Sequence, residues 1–414
     1  MKTAWLVVLA CFIGVSISIA PAYLTVLGLF LKPMAAETGF SRTTLSLAPS
    51  LMAFVAAICS PFVGQMIDRW GARRVAAIGV VLLPLGLLAH AMLGTSLPWF
   101  MVLAVLMGFT AAVACPLPYI GALPQWFERN LGLAIALSMT GIGFGEIVLP
   151  KLAAWLIDSG GWRWAWAMLA GTIFVVGALN VAFLFRDNPS FQARKANSGD
   201  QAAGGMTWQE AIRTPVFWLL GAAVCLVAQV GVGVMIHIVP MLTDRGMSAA
   251  AAANAVAVLG VGSLLGRLAT GYALDRLNVA LVGGVLFSLQ GLGMLVLWYG
   301  AGGLVPHIAV FFVGLAVGAE TDIIPFVTRR KFGLGQFGRI YGLIYGMFSI
   351  GPVLGPLFMG QGFDAFGSYA IVLLAFSASS FLAAACVALA GLLPVHRTAE
   401  PQGHPNTSIV KGVP

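Results

Sequence analysis

The sequence predicts an all-α membrane protein whose twelve transmembrane helices form two six-helix bundles related by a pseudo-two-fold axis. Three observations predict this fold class: the composition, the length of the apolar runs and an internal repeat. Of the 414 residues, 60% are hydrophobic and only 9% are charged, whereas soluble domains carry about 25% charged residues. Lipid offers no hydrogen-bond partners to backbone N–H and C=O groups, so every apolar run long enough to cross the bilayer is predicted to be a helix.

Twelve such runs follow one another along the chain. They cover residues 4–30, 43–65, 75–93, 98–122, 131–157, 164–186, 215–242, 248–272, 278–300, 305–328, 338–360 and 370–394. The first run is too long for the apolar region of a typical secretory signal, which predicts a retained helix. The five cysteines all fall inside these runs without paired spacing, so we expect packing residues and neither disulfides nor a metal site.

A polar stretch from Phe185 to Pro215 divides the runs six and six. Its Gly, Ser, Asn and charged residues are typical of a flexible connector. The chain is therefore predicted to form an N-terminal bundle, a cytoplasmic central loop, a C-terminal bundle and a Pro-rich, disordered cytoplasmic tail. In the same order, these four regions cover residues 1–187, 188–213, 214–395 and 396–414.

The basic residues predict the orientation. With the N-terminus placed in the cytoplasm, all but five of the 22 Lys and Arg lie at or near the inner face. The five exceptions are Lys32, Arg42, Lys151, Arg163 and Arg245. This asymmetry follows the positive-inside rule and predicts a multi-pass protein of the cell (inner) membrane with both termini cytoplasmic. The net charge of +8 thus reflects topology, and no nucleic-acid partner is expected.

Two sequence similarities relate the halves. The pattern G-x-x-x-D-R begins at Gly64 and again at Gly271, an offset of 207 residues. The stretch that starts at Arg129 is echoed by the one that starts at Arg339, an offset of 210. Parallel halves related by an axis along the membrane normal are a known transporter plan, so we expect the binding site between the halves near the midplane.

The loop "GQMIDRWGARR" resembles the signature loop between helices 2 and 3 of the major facilitator superfamily. The resemblance covers the whole chain. It implies that the Asp and the basic residues form a cytoplasmic charge network that helps to hold one state of the transport cycle; the alternative is a solvated loop that only follows the positive-inside rule. The residues of this motif are Gly64, Asp68, Arg69, Gly71, Arg73 and Arg74, with Gly271, Asp275 and Arg276 in the second half.

Further stretches resemble the branch that contains monocarboxylate transporters and oxalate–formate antiporters. One is "QWFERNLGLAIALSMTG", which enters the fifth span, and another is "AETDIIPFVTRRKFGLGQFGRIYG" at the junction of the tenth and eleventh spans. That branch also carries an arginine in its eighth helix, and Arg267 occupies the matching place. The resemblance implies a carrier of small carboxylates in which Arg267 contacts the substrate.

Arg267 raises a physical question of its own, because it lies eight residues before Asp275 and hence roughly 12 Å from the cytoplasmic loop toward the middle of the bilayer. A guanidinium at that depth costs at least about 2.5–3.5 kcal/mol, which a partner must offset. Its planar fork of donors matches a carboxylate, and it cannot lose its proton. Alternatively, Arg267 reaches the inner surface or holds a permanent ion pair.

The sequence also departs from the branch pattern. Some monocarboxylate carriers have a carboxylate one turn before this arginine, where Ser263 stands, and a lysine in the first helix, which has none here. The eleventh span lacks the lysine that the oxalate exchangers are expected to carry. A single intramembrane cation favours a substrate with one carboxylate.

Proton coupling must then use other groups. Glu320 and Asp322 lie close to the depth of Arg267, and we expect one of them, Glu320 first, to neutralise Arg267 in the empty carrier. The alternative is a static pair with Arg329 or Arg330. Further candidates are Glu146, inside the fifth span, and His237, for which a structural hydrogen bond is the alternative role.

Aromatic hydroxyl groups supply the remaining candidates for substrate contact. We expect Tyr23, Tyr119 and Tyr345 to contact substrate; the alternative for each is packing within a bundle or against lipid.

The expected function is secondary active transport of a small organic monocarboxylate, coupled to protons, by a monomer without cofactor or metal and without enzymatic activity. One alternative is an exporter of organic acids or drug-like compounds on the same fold, although "TGIGFGEIVLP" lacks the G-P-x-x-G-G pattern of drug antiporters. Another alternative is a membrane sensor, for which the loop and tail are short.

Overall fold

The computed structural model describes residues 2–39, 42–94, 96–189, 205–300 and 303–394, so the predicted tail at 396–414 lies outside the described residues. The N-terminal half consists of α1 (Lys2–Ser16), α2 (Thr25–Thr38), α3 (Arg42–Trp70), α4 (Ala72–Ala91), α5 (Leu97–Val113), α6 (Leu117–Ala122) and α7 (Leu131–Leu179). The C-terminal half consists of α8 (Trp208–Ile212), α9 (Pro215–Asp244), α10 (Ala249–Leu274), α11 (Val279–Tyr299), α12 (Val305–Phe332), α13 (Phe337–Phe366) and α14 (Ala370–Leu392).

Eleven stretches of the described residues are long and apolar enough to cross a membrane. One of them, Leu131–Leu184, has 54 residues, which would make a helix of about 80 Å, more than twice the hydrocarbon thickness. Helix α7 breaks at Gly161, whose φ of 80° and ψ of 174° lie outside the helical region. This stretch therefore crosses twice, and the described residues cross twelve times, in agreement with the twelve predicted spans.

The first and fourth spans are interrupted, which the apolar runs did not indicate. A π turn, Ala20–Leu24, follows α1 and precedes α2, and a short non-helical link separates α5 from α6. At these interruptions the backbone amide of Ile19 donates to the carbonyl oxygen of Ala114 at 3.0 Å. Hydrocarbon offers no hydrogen-bond partner to a free backbone group. Because the two breaks lie side by side, the free amide of one bonds to a carbonyl oxygen of the other.

The halves meet along two seams, one between α3 and α13 and the other between α7 and α10. At the first seam, a Cβ on Gly64 would overlap the carbonyl oxygen of Gly338; at the second, a Cβ on Gly132 would overlap that of Gly271. Glycine lets the helix backbones touch here, as small residues do in membrane helix packing. Both G-x-x-x-D-R motifs lie at the same end of the molecule, which we call the motif end.

Candidate functional site

Arg267 lies on α10 with 8% of its surface exposed. Its Nη1 donates to Oδ1 of Asp322 on α12 at 2.7 Å and, more weakly, to the hydroxyl of Thr321 at 3.4 Å. A Cβ on Gly318 would overlap the backbone of α10 at Ser263, which shows how closely the two helices cross. This close crossing brings Arg267 onto Asp322.

Asp322 is 1% exposed, yet only one of its two carboxylate oxygens has hydrogen-bond partners among the described residues. Oδ1 accepts from Arg267 and from the hydroxyl of Thr321, at 3.3 Å from the latter. Oδ2 is buried and has no hydrogen-bond partner among the described residues. An unpaired carboxylate oxygen in a buried site is costly, so this oxygen is suited to take a proton or a further donor.

The carboxylate beside Arg267 is thus Asp322, whereas Glu320 was the first expectation from sequence. Positions two apart on a helix differ by about 200°, so only one of the two can face α10. The Oε2 atom of Glu320 is buried, also lacks a hydrogen-bond partner among the described residues, and lies toward Gly231 of α9. The side-chain amide of Gln290 is also beside Gly231. Glu320 therefore lies inside the C-terminal half.

The N-terminal half contributes Glu146 to the same region. Its side chain on α7 is exposed and lies within electrostatic range of Arg267. Among the described residues, the candidate site thus has one cation with its hydrogen-bonded carboxylate, Asp322, and two further carboxylates within electrostatic range, Glu320 of the same half and Glu146 of the facing half. Among the described residues, no group of three or more His, Cys, Asp or Glu is arranged to hold a metal ion.

Tyr345 also lies where the halves meet. Its hydroxyl lies near the sulfur of Cys115, which follows α5 in the other half, and it is within electrostatic range of Glu320. The ring of Tyr341 is 6.0 Å from that of Tyr345, and Tyr341 is within electrostatic range of Asp322. The sequence pattern indicates only a packing role for Cys115 and no role for Thr321, because neither residue type signals such a position.

Tyr23 and Tyr119 lie inside the N-terminal bundle. The hydroxyl of Tyr23 is 2.9 Å from Nε2 of His90, and its ring stacks on Trp166. Tyr119 packs against Gly14, and its ring is 5.0 Å from that of Phe185. The structure does not bring these two tyrosines to Arg267.

His237 lies in the half of α9 that is far from the motif end. Its Nδ1 is 3.3 Å from the hydroxyl of Tyr369, and the two rings are 5.8 Å apart. This arrangement corresponds to the structural hydrogen bond that was the alternative role for this histidine.

The two aspartates of the repeated motif have equivalent positions. The oxygens of Asp68 accept from the backbone amides of Gly338 and Arg339 at 2.8 and 2.7 Å. Those of Asp275 accept from Gly132 and Leu133 at 2.8 and 3.0 Å. Each aspartate thus caps the first turn of a helix in the opposite half, which satisfies free amides and complements the helix dipole. Both caps therefore join the two halves at the motif end.

The basic residues of the motif make contacts within their own half. Arg73 donates to the carbonyl oxygens of Val181 and Ala182 at 3.0 and 2.8 Å. Asp187 accepts from the amides of Ala72 and Arg73, while its burial raises its pKa above the usual range. Arg69 and Arg74 are exposed.

Asp68→Ala should open the motif end. Loss of this cap costs about 1–2 kcal/mol, which raises the open-to-closed ratio roughly fivefold to thirtyfold. The measurement is thiol labelling of a Gly121→Cys reporter, which lies between Ile67 of its own half and Phe337 of the other, with the five natural cysteines replaced by alanine.

Asp187→Ala is the matched control for this change, because Asp187 caps α4 within one half. It should lower thermal stability without faster labelling. Equal labelling of the Asp68→Ala and Asp187→Ala proteins would contradict a role for Asp68 in holding the halves together.

Two six-helix halves that enclose a buried, charged site are typical of membrane transporters. Comparison with known proteins agrees, since the sequence model of the Major Facilitator Superfamily matches residues 5–333. The chain belongs to the major facilitator superfamily, and it is a transporter rather than an enzyme.

Individual relatives and solved structures are similar to this chain over most of its length. Monocarboxylate transporter 11 of Mus musculus is 30% identical over 386 residues, which are 88% of this chain and 82% of that protein. The fujikurins efflux protein of Gibberella fujikuroi is 25% identical over 358 residues, 84% of this chain and 73% of that protein. The structure of the E. coli fucose:proton symporter FucP matches with a TM-score of 0.70 at 15% identity, covering 95% of this chain and 99% of FucP. The last comparison confirms the predicted fold.

Proposed function

We propose that the protein carries a small organic monocarboxylate together with a proton, by alternating access to a site between the two halves. The observation that carries this proposal is the buried Arg267–Asp322 pair with its unpaired Oδ2 atom. In the empty carrier Asp322 neutralises Arg267. A substrate carboxylate competes for the same guanidinium, whose fork binds two carboxylate oxygens at once.

Charge balance links substrate to proton. With Asp322 and a bound monocarboxylate both ionised, Arg267 would face two negative charges in a site shielded from water. Like charges at such short range disfavour double ionisation, so binding of the anion favours protonation of Asp322. The Oδ2 atom is free to carry that proton. One proton then accompanies each monoanion, and the loaded carrier has the same net charge as the empty one.

Access alternates through the two seams. In the closed motif end, Asp68 and Asp275 each hold a helix of the opposite half. Release of both caps would let the halves rock and expose Arg267 to the motif side, which the positive-inside rule places in the cytoplasm. Both termini are then cytoplasmic.

The relatives support this proposal unequally. A monocarboxylate transporter that is 30% identical supports the substrate class. A relative named as an efflux protein favours the second candidate, an exporter of organic acids or larger amphipathic compounds. The binding chemistry at Arg267 would be the same for an exported acid, so the two candidates differ in the direction of coupled flux.

The test is uptake of labelled carboxylates into proteoliposomes, with and without an inwardly directed proton gradient. We expect the gradient to accelerate uptake of monocarboxylates such as lactate and formate, and oxalate and succinate to remain outside. Outward transport driven by proton entry would instead favour the exporter. Binding of a carboxylate without flux in either direction would favour a sensor, and absence of both would contradict the proposal.

A further inference from the structure

The two seams of the motif end are equivalent in the repeat but differ in what lies beside them. Arg339, next to the cap at Asp68, lies with its guanidinium 4.1 Å from the ring centre of Trp208. The backbone amide of Trp208 donates to Oε1 of Gln336 at 2.9 Å, and that of Met206 donates to the carbonyl oxygen of Phe332 at 2.8 Å. The chain itself thus supplies a partner for this arginine.

At the second seam there is an open cavity of about 640 Å³. Its charged lining residues are Glu128, Arg129, Asp275, Arg276, Arg329 and Arg330, so both halves contribute arginines. At the repeat offset of 210, the positions of Arg329 and Arg330 correspond to Tyr119 and Ile120. The second half therefore carries two arginines that the repeat does not require.

These arginines have more donors than the surrounding protein accepts. Both oxygens of Asp275 are already bound by backbone amides. Glu128 is within electrostatic range of Arg329. Among the described residues, Arg129, Arg329 and Arg330 donate no hydrogen bond to a protein acceptor. Closure of the motif end therefore brings cations from both halves together without enough anions between them.

We propose that this cavity binds a phosphate-type anion, either free phosphate or the phosphate of an anionic lipid headgroup, which bridges Arg129 to Arg329 and Arg330. Guanidinium forks match phosphate oxygens in pairs, and the cavity has room for the group. The bound anion offsets the repulsion between the halves and stabilises the carrier in its form closed at the motif end.

The first experiment measures the melting temperature of the full-length protein in detergent against inorganic phosphate, with chloride at matched ionic strength as the reference. We expect a saturable rise in wild type. The variant Arg329→Gln/Arg330→Gln should weaken apparent binding at least about tenfold, as expected for the loss of two charge-assisted hydrogen bonds. Glu128→Gln should strengthen it, because it removes a negative charge from the rim.

Arg213→Gln is the matched control, because Arg213 ends α8 at the same end of the molecule and is exposed outside this cavity. It should bind phosphate as wild type does. The proposal is overturned if two results are found together. Phosphate raises the melting temperature of wild type and of Glu128→Gln no more than chloride does, and phosphatidylglycerol does not raise it either. It is equally overturned if the double variant and Arg213→Gln respond alike.

A second arm distinguishes the source of the phosphate. The protein is reconstituted in phosphatidylcholine vesicles with or without phosphatidylglycerol, and its melting temperature is followed with and without inorganic phosphate. Stabilisation by phosphatidylglycerol that makes added phosphate ineffective assigns the site to a lipid headgroup. A phosphate response that is the same in both vesicles assigns it to the free ion.

Discussion

Arg267→Ala should abolish carboxylate uptake. The change removes the fork that binds the substrate carboxylate and leaves Asp322 buried without its cation. Truncating one partner of a buried charge pair costs about 2–5 kcal/mol, so substrate affinity should fall by roughly 30-fold to several thousand-fold. The measurement is the initial rate of monocarboxylate uptake against substrate concentration in proteoliposomes.

A double variant separates binding from folding. Arg267→Met/Asp322→Leu removes both charges, and replacing a buried ion pair with apolar residues of similar size is often neutral for stability. Its melting temperature should therefore recover relative to Arg267→Ala, while transport should stay absent. Wild-type affinity for the monocarboxylate in a folded Arg267→Ala protein would instead show that the pair is structural.

Asp322→Asn should uncouple transport from the proton gradient. The amide is permanently neutral, so anion binding no longer requires a proton and the pH gradient should no longer accelerate uptake. Exchange of internal for external substrate should persist, because it needs no net proton movement. The measurement compares gradient-driven uptake with counterflow in the same proteoliposomes.

Glu320→Gln is the matched comparison for this change, two residues away on the same helix. Its carboxylate is within electrostatic range of Arg267 but lies toward Gly231 inside the C-terminal half, whereas Asp322 holds the hydrogen bond to Arg267, so gradient-driven uptake should be affected less than in Asp322→Asn. The reverse pattern, with coupling lost in Glu320→Gln and kept in Asp322→Asn, would assign the proton to Glu320. Full coupling in both variants would leave Glu146 as the proton carrier.

The number of helices and the repeat were predictable because hydropathy and motif spacing are properties of the chain itself. The interruptions in the first and fourth spans were not, because an apolar run measures the length of a span and not the continuity of its backbone. Pro21 and Pro116 lie at these interruptions, but proline is also tolerated within membrane helices. The bond between Ile19 and Ala114 joins residues that only the fold brings together.

The sequence indicates how deep the candidate site residues lie in the membrane, but not which way each side chain faces. Arg267, Glu320 and Asp322 can be placed at similar depths by counting residues along a helix. Which carboxylate faces Arg267 depends on how α10 crosses α12, and that crossing is set by the close approach at Gly318. Tyr23 shows the same limit, because its partner His90 is 67 residues away.

The interrupted helices lie in one half and the buried ion pair lies in the other. At the repeat offset of 210, Asp322 on the unbroken helix α12 corresponds to Ala112, in the last turn of α5 before the break that separates it from α6. The half that carries the proposed substrate site is therefore continuous at that level, while its counterpart can bend near there. Such a division separates substrate specificity from conformational change. Mutations in one half would alter which substrate binds, and mutations in the other would alter how fast the halves rock.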